Sequence, residues 1–142
     1  RMVKATALAT LISVVGLILF VVPRFADADS VKRLMETANR SGFTREKVLM
    51  LHIVSHNAEF YAAGRLIRDD TGKQRKFLGP AEVLEEIRKS ATGAVLVIVP
   101  MEYWAQLKQS SLLASNAIDD NGELVIVAVR EANSTRPGGA YP

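Results

Sequence analysis

The chain of 142 residues contains no cysteine. Disulfide scaffolds, thiolate metal sites and cysteine nucleophiles are therefore excluded. It also lacks a glycine-rich phosphate loop, since Gly64, Gly72 and Gly79 are scattered at helix ends and in turns, and this argues against dinucleotide or ATP binding. The net charge of +3 is small, and acidic and basic residues are interleaved, so the composition predicts no nucleic-acid partner.

Charged residues are also missing from Ala5 to Pro23. A helix of about 19 residues spans about 28 Å, close to the ~30 Å hydrocarbon core of a bilayer. The run is apolar on every face, whereas a soluble helix carries charges along one face. We therefore expect a retained transmembrane helix within residues 1–25. Two alternatives stay open: a helix buried in a large soluble protein, and a cleaved signal peptide that ends near residues 26–28.

The remaining sequence predicts one α/β domain, residues 26–131, followed by a disordered tail, residues 132–142. An amphipathic helix from Asp27 to Gly42 opens the domain, with Gly42 suited to the position after the helix end. Its apolar residues follow helical spacing: Val31, Leu34, Met35 and Ala38.

Three nearly unbroken apolar runs predict strands that are buried on both faces, at residues 47–55, 94–100 and 123–131. Helical patterns lie between them, at residues 57–64, 80–90 and 101–109. Turn sequences around residues 69–72 and 120–122 predict two hairpins. The expected architecture is a small α/β sandwich with a mixed, mostly parallel sheet and an antiparallel hairpin edge.

Polar residues follow the first strand, where open α/β sheets bind ligands. The candidates for a ligand or partner site are Ser55, His56, Asn57 and Glu59. The alternative is structural: Ser55 or Asn57 caps the next helix. A Ser-His nucleophile is disfavoured because the two residues are adjacent and no nucleophile elbow is present. His52 and His56 are four apart, but His52 is predicted inside a strand as a buried, hydrogen-bonded residue, so we predict no metal site, no cofactor and no catalytic residue.

A basic cluster surrounds the first predicted hairpin and includes Arg65, Arg68, Arg75 and Lys76. These residues are candidates for contact with membrane phosphates if the hairpin faces the bilayer. The alternative is that charges on an edge strand prevent aggregation. Tyr103 and Trp104 fit either the core or a position at headgroup level.

Several segments together resemble a known family. They are "PRFADADSVKRLMETANRSGF", "VLMLHIVSHNAEFYAAGRLIRD", "GPAEVLEEIRKS", "AVLVIVP" and "DNGELVIVAVRE". In this order they are similar to the C-terminal end of bacterial GT-C membrane glycosyltransferases of the dolichyl-phosphate-mannose–protein mannosyltransferase and aminoarabinose (lipid A) transferase type. The similarity covers nearly the whole chain except the tail. It depends on the order of elements and on "AEFYAAGR" after a buried strand, and it includes no catalytic signature.

The resemblance implies an enzyme with many membrane helices in the bacterial inner membrane. Such enzymes pass a sugar from a polyprenyl-phosphate carrier to a lipid or protein acceptor on the periplasmic side. The family's catalytic acids lie in an early extracytoplasmic loop, and no residue of this chain corresponds to them. The resemblance thus implies that the chain is the last span followed by a non-catalytic, extracytoplasmic cap, residues 26–131. The alternatives are a single-anchor envelope protein whose domain binds a partner or small ligand and, less favoured, a small tethered hydrolase.

Overall fold

The computed structural model describes residues 10–16 and 31–132. Residues 10–16 are helical, with mostly exposed side chains. The rest of the expected transmembrane segment, residues 1–25, lies outside the described residues, and so does the expected disordered tail after Ala132. Within the described ranges, no helix has both the length and the apolar character needed to cross a bilayer.

The first helix of the domain, α1, is described over residues 31–40. Its buried side chains are the four that helical spacing predicts, Val31, Leu34, Met35 and Ala38. The helix ends in a Schellman motif, in which the N–H of Phe43 donates to the Ala38 carbonyl and that of Gly42 to the Asn39 carbonyl. Gly42 has a φ of +92°, which glycine adopts without steric cost, so its predicted role is confirmed.

Five strands form one mixed sheet in the order β2-β1-β3-β5-β4. Their bounds are Lys47–Leu51 for β1, Lys76–Phe77 for β2, Ala94–Pro100 for β3, Leu113–Asp120 for β4 and Leu124–Glu131 for β5. β1 is parallel to both β2 and β3, whereas β5 is antiparallel to both β3 and β4. The mixed sheet with an antiparallel hairpin edge is therefore confirmed, and its parallel pairings lie on the β1 side.

Helices cover both faces of this sheet. They are α2 (His56–Tyr61), α3 (Pro80–Lys89) and α4 (Trp104–Gln109), the last preceded by a turn of 3₁₀ helix, Met101–Tyr103. Even-numbered residues of β1, β3 and β5 pack with α1 and α2, and odd-numbered ones pack with α3 and α4. The predicted burial of the central strands on both faces is thereby confirmed, since every residue from Ala94 to Val99 is buried.

Two elements end earlier than predicted because their backbones turn left-handed. β1 stops at Leu51 rather than at residue 55, since His52 has a φ of +60° and cannot continue the ladder. His52 therefore follows the strand instead of lying inside it. Helix α2 ends at Tyr61 rather than at residue 64, because Ala63 and Gly64 also have positive φ.

The first predicted hairpin is reduced to a single antiparallel bridge between Arg68 and Gln74. The chain on both sides of this bridge pairs with β1 in parallel, through Leu66 opposite Val48 and then through β2. The segment is therefore an edge strand interrupted by an excursion, residues 68–74.

The carboxylate of Asp69 holds this excursion together. Its Oδ1 accepts the N–H and the hydroxyl of Thr71 and the N–H of Lys73, in an Asx-type turn. The hydrogen bond from the Thr71 hydroxyl is the main reason that the pKa of Asp69 lies below its ordinary value. Asp69 is therefore a turn residue, as the sequence predicted.

The second predicted hairpin is confirmed as β4–β5. The side chain of Asn121 closes its turn by accepting the N–H groups of Glu123 and Leu124 at 3.0 and 2.7 Å. Helix α1 lies against this turn, since Arg33 donates to the Asp120 carbonyl at 2.5 Å and Thr37 donates to the Asp119 carboxylate at 3.1 Å. These contacts fix α1 beside the β4–β5 turn.

Burial of β3 predicts a large effect of truncating its central side chain. Ile98 is fully buried, so Ile98→Ala should lower the free energy of unfolding by ~2–5 kcal/mol. Leu112 is exposed, and Leu112→Ala should change stability by no more than about 0.5 kcal/mol. Denaturant titration of the full chain in detergent, followed by circular dichroism, measures both values. Equal losses in the two variants would contradict the assigned core.

Candidate functional site

The parallel strands β1, β2 and β3 end at one edge of the sheet, which we term the carboxyl edge. After β1 the chain turns to α2 on one face, and after β3 it turns to α4 on the other face. Because β1 and β3 are neighbours, their connections leave in opposite directions and open the sheet between them. This topological switch point is where open α/β sheets place their ligands.

His52 lies at this switch point and contacts the loop after β3. Its imidazole stacks on Tyr103, with ring centroids 4.1 Å apart and an angle of 28° between the planes. Its Nε2 donates to the Oε1 of Gln106 at 2.9 Å. The ring therefore joins the ends of β1 and β3, the two strands whose connections diverge.

The backbone of His52 is in the left-handed region, which costs a residue with a Cβ about 1–2 kcal/mol. The surrounding contacts compensate for this strain. The His52 N–H donates to the Phe77 carbonyl at 2.8 Å, which ties the residue to the end of β2 as well. Strained, half-buried residues of this type are concentrated at functional sites, so His52 marks this edge as the candidate site.

Three of the four predicted ligand residues lie in the segment that follows His52 and begins α2. Ser55 is the residue before α2, and His56 and Asn57 begin that helix. Among the described residues, none of these three side chains has a hydrogen-bond partner, and Ser55 contributes only its carbonyl, which accepts from Gln74 at 2.8 Å. The alternative that the Ser55 side chain caps α2 is therefore wrong, and the three polar groups are open to a ligand.

Glu59, the fourth predicted ligand residue, is directed elsewhere. Its carboxylate forms an ion pair with Arg68, which also donates to the Gly72 carbonyl at 2.7 Å. This pair fastens α2 to the excursion, residues 68–74. The structure thus separates Glu59 from the other three candidates and gives it a structural partner.

The four predicted phosphate-binding cations do not form one surface. Arg65 lies with α1 and α2, where its guanidinium donates to the Phe43 carbonyl at 2.9 Å and to the Asn39 side chain at 2.8 Å. Burial lowers the pKa of Arg65, and the nearby carboxylate of Glu46 opposes that shift. Arg65 is therefore a link between helices.

Arg75 lies on the opposite face, against α3. It pairs with Glu82 at 3.8 Å and with the buried Glu86 at 3.4 Å, and its guanidinium lies 4.8 Å from the Phe77 ring centroid. Lys76 is exposed at the start of β2. The expectation of a single basic cluster is thus corrected, because Arg65 contacts α1 and α2 on one face whereas Arg75 contacts α3 on the other. Contact of these cations with phosphate stays a prediction.

Sequence reasoning missed the residues that form the centre of the site. His52 was predicted as a buried strand residue, and Gln106 was not singled out. A left-handed φ leaves no sequence signal in a non-glycine residue, and the stacking of His52 on Tyr103 depends on two strands that are distant in sequence. One sequence signal could have located this centre. Directly after the buried strand β3 the chain has an apolar, an acidic and an aromatic residue in succession, Met101, Glu102 and Tyr103.

No group of three or more His, Asp or Glu residues in residues 10–16 and 31–132 is arranged to hold a metal ion. Within the same ranges, the side chain that hydrogen-bonds to a histidine ring is that of Gln106, which contacts His52. The polar side chains after β1 and the stacked rings of His52 and Tyr103 can bind a ligand by hydrogen bonding and surface contact.

Comparison with protein-family models, curated proteins and solved structures finds no significant match for this chain. The similarity to the membrane glycosyltransferases therefore remains a prediction from the sequence.

The left-handed backbone at His52 predicts an unusual order of stability for two truncated variants, with glycine more stable than alanine. His52→Ala and His52→Gly both remove the ring, but only glycine adopts a φ of +60° freely. We expect the glycine variant to be more stable than the alanine variant by ~1 kcal/mol. Denaturant titration of both variants checks this, and an alanine variant that is as stable as the glycine variant would contradict the left-handed backbone.

The helix-linking role of Arg65 predicts a loss of stability on truncation. Arg65→Ala removes bonds to Phe43 and Asn39 and should lower the free energy of unfolding by about 1–3 kcal/mol. The matched control is Lys76→Ala, which removes an exposed cation and should change stability by less than about 0.5 kcal/mol. Equal stabilities would show that Arg65 does not link the helices.

Proposed function

We propose that residues 31–132 form the non-catalytic extracytoplasmic domain of a bacterial inner-membrane glycosyltransferase. The parent enzyme moves a sugar from a polyprenyl-phosphate carrier to a lipid or protein acceptor. Two observations support this. Successive segments resemble the C-terminal end of such enzymes. Each of these segments also forms a helix or strand of the structure, namely α1, β1 with α2, α3, β3 and β5.

The proposal that this domain is non-catalytic depends on which residues lie at the switch point. Enzymes with this type of sheet place their reacting groups there. Here the position holds an imidazole stacked on a phenol and hydrogen-bonded to the amide of Gln106. A base that works on a nucleophile is normally oriented by an acid, and none of the described carboxylates contacts His52. The domain therefore shapes the entrance for donor or acceptor, or stabilises the enzyme, while the chemistry occurs elsewhere.

The proposal predicts the effect of site substitutions on the full-length enzyme. Ser55→Ala, His56→Ala and Glu59→Ala should each leave kcat for sugar transfer nearly unchanged, because none of these groups moves a proton in the reaction. Radiolabelled sugar transfer in membranes measures this, with the enzyme level determined by immunoblot. As a control, replacing the catalytic acid in the early extracytoplasmic loop, which the resemblance places upstream of Arg1, should abolish transfer.

A fall of ~10² or more in kcat for any of the three variants, at a normal enzyme level, would mean that the domain takes part in the chemistry. The coding sequence before Arg1 offers a separate check. The resemblance implies many further hydrophobic spans there, and their absence would remove the glycosyltransferase proposal.

A second candidate function is a single-anchor envelope protein whose α/β domain binds a partner or small ligand. The side chains of Ser55, His56 and Asn57 at the start of α2 favour it, because such groups are available to a ligand without loss of internal bonds. An open reading frame that starts at Met2 would favour this candidate over the glycosyltransferase.

A further inference from the structure

We propose that the carboxyl edge of the sheet docks on the bilayer and inserts four side chains into the boundary between headgroups and acyl chains. They are Val54, Leu78, Met101 and Tyr103. This inference depends on the membrane anchoring in the proposed function, and it adds which surface of the domain faces the lipid.

The first support is where the exposed apolar side chains lie. Within residues 31–132 the exposed large apolar side chains are Val54, Phe60, Leu78, Met101, Tyr103 and Leu112. Four of these six lie in the loops that directly follow the parallel strands. Leu78 is the most exposed of the four, at 60% of its surface, although it follows the fully buried Phe77. Apolar groups that converge in this way from separate loops mark an interaction surface.

The opposite edge of the sheet is different. The chain approaches β1 through Arg45 and Glu46 and approaches β3 through Thr92 and Gly93. Leu112 is exposed at this edge, and Phe60, which is 80% exposed, lies near the end of α2, two residues before Ala62, whose carbonyl accepts from Arg65. The carboxyl edge therefore carries four of the six exposed large apolar side chains, and the opposite side carries two.

The second support is independent: the chain enters the domain at the carboxyl edge. Pro100 at the end of β3 pairs with Leu124, so the β4–β5 turn lies at this edge. Arg33, near the start of α1, donates to Asp120 in that turn. The other end of α1 lies at the opposite edge, where Asn39 accepts from Arg65 beside the start of β1.

The length of the chain before α1 then limits the distance to the membrane. The apolar run of the sequence ends at Pro23, eight residues before Val31. Eight residues span at most about 28 Å, so a bilayer that holds the run is within that reach of the start of α1. The opposite edge lies about 20 Å from the carboxyl edge, the length of the seven residues of β3. The tether therefore begins beside the carboxyl edge but is long enough for either edge, and the exposed apolar side chains decide which edge faces the lipid.

Charge indicates how the docking is driven. Acidic residues border the apolar tips on the β5 side, with Glu102 beside Met101 and with Glu123, whose carbonyl accepts from the Met101 N–H. On the β2 side, the exposed cation Lys76 lies two residues before Leu78. The acids and this cation offset each other, so the edge has no net attraction to anionic lipid. Apolar insertion, with Tyr103 at headgroup level, is therefore the driving term, and Arg65 at the opposite edge has no part in it.

The absence of cysteine from the chain makes a direct test simple. Leu78→Cys, Met101→Cys and the control Leu112→Cys each carry one nitroxide label on the full chain in phosphatidylcholine nanodiscs. Leu78 and Leu112 are matched, with exposures of 60% and 53%. We expect the ratio of oxygen to nickel-chelate accessibility at residues 78 and 101 to exceed that at residue 112 several-fold. Replacing part of the lipid with phosphatidylglycerol should leave the ratio unchanged.

Equal ratios at the three positions would overturn the docking, and so would a difference that appears only with phosphatidylglycerol. Spin–spin broadening between two Met101→Cys copies would overturn it in favour of a second chain. Extraction of the same samples with alkaline carbonate separates the two proposals. Loss of the chain from the lipid fraction contradicts the membrane anchor, whereas retention with equal ratios contradicts the docking alone.

Discussion

The burial of β3 on both faces is the constraint on which the rest of this domain depends. A strand that is apolar on both sides requires a cover on each face, and α1 with α2 and α3 with α4 supply it. Once helices cover both faces, solvent-exposed polar groups can lie only at the edges of the sheet and on the outer surfaces of the helices. The sites available for binding are consequently at the ends of the strands.

The same arrangement explains why the carboxyl edge carries both an unusual backbone and an apolar surface. β1 and β3 must send their connections to opposite faces, and the chain after β1 has to turn sharply to do so. The turn takes place at His52, whose strained conformation is compensated by stacking on Tyr103 and by bonds to the ends of β2 and α4. The loops after the three parallel strands are brought together at this edge, where their apolar tips remain exposed.

Cations that look similar in the sequence have different physical roles in this fold. Arg65 joins α1 to α2, Arg68 fastens α2 to the excursion at residues 68–74, and Arg75 neutralises the buried Glu86 on the other face. A guanidinium with several internal partners is less available to an external phosphate. A docking surface built from apolar tips at the carboxyl edge is therefore a simpler interpretation of membrane contact than a basic patch.

Local pattern was sufficient to predict most elements of the domain from the sequence. Apolar runs identified β1, β3 and β5, helical spacing identified the buried face of α1, and the Asn-Gly pair identified the β4–β5 turn, because each signal arises from neighbouring residues. The candidate site was predicted only in part: Ser55, His56 and Asn57 follow β1 in the chain, but the contact of His52 with Tyr103 and Gln106 joins segments about fifty residues apart. Strand order, the left-handed turn at His52 and the face on which each arginine lies were decided by the tertiary structure, because they depend on which elements pack together and not on the residues next to them in the chain.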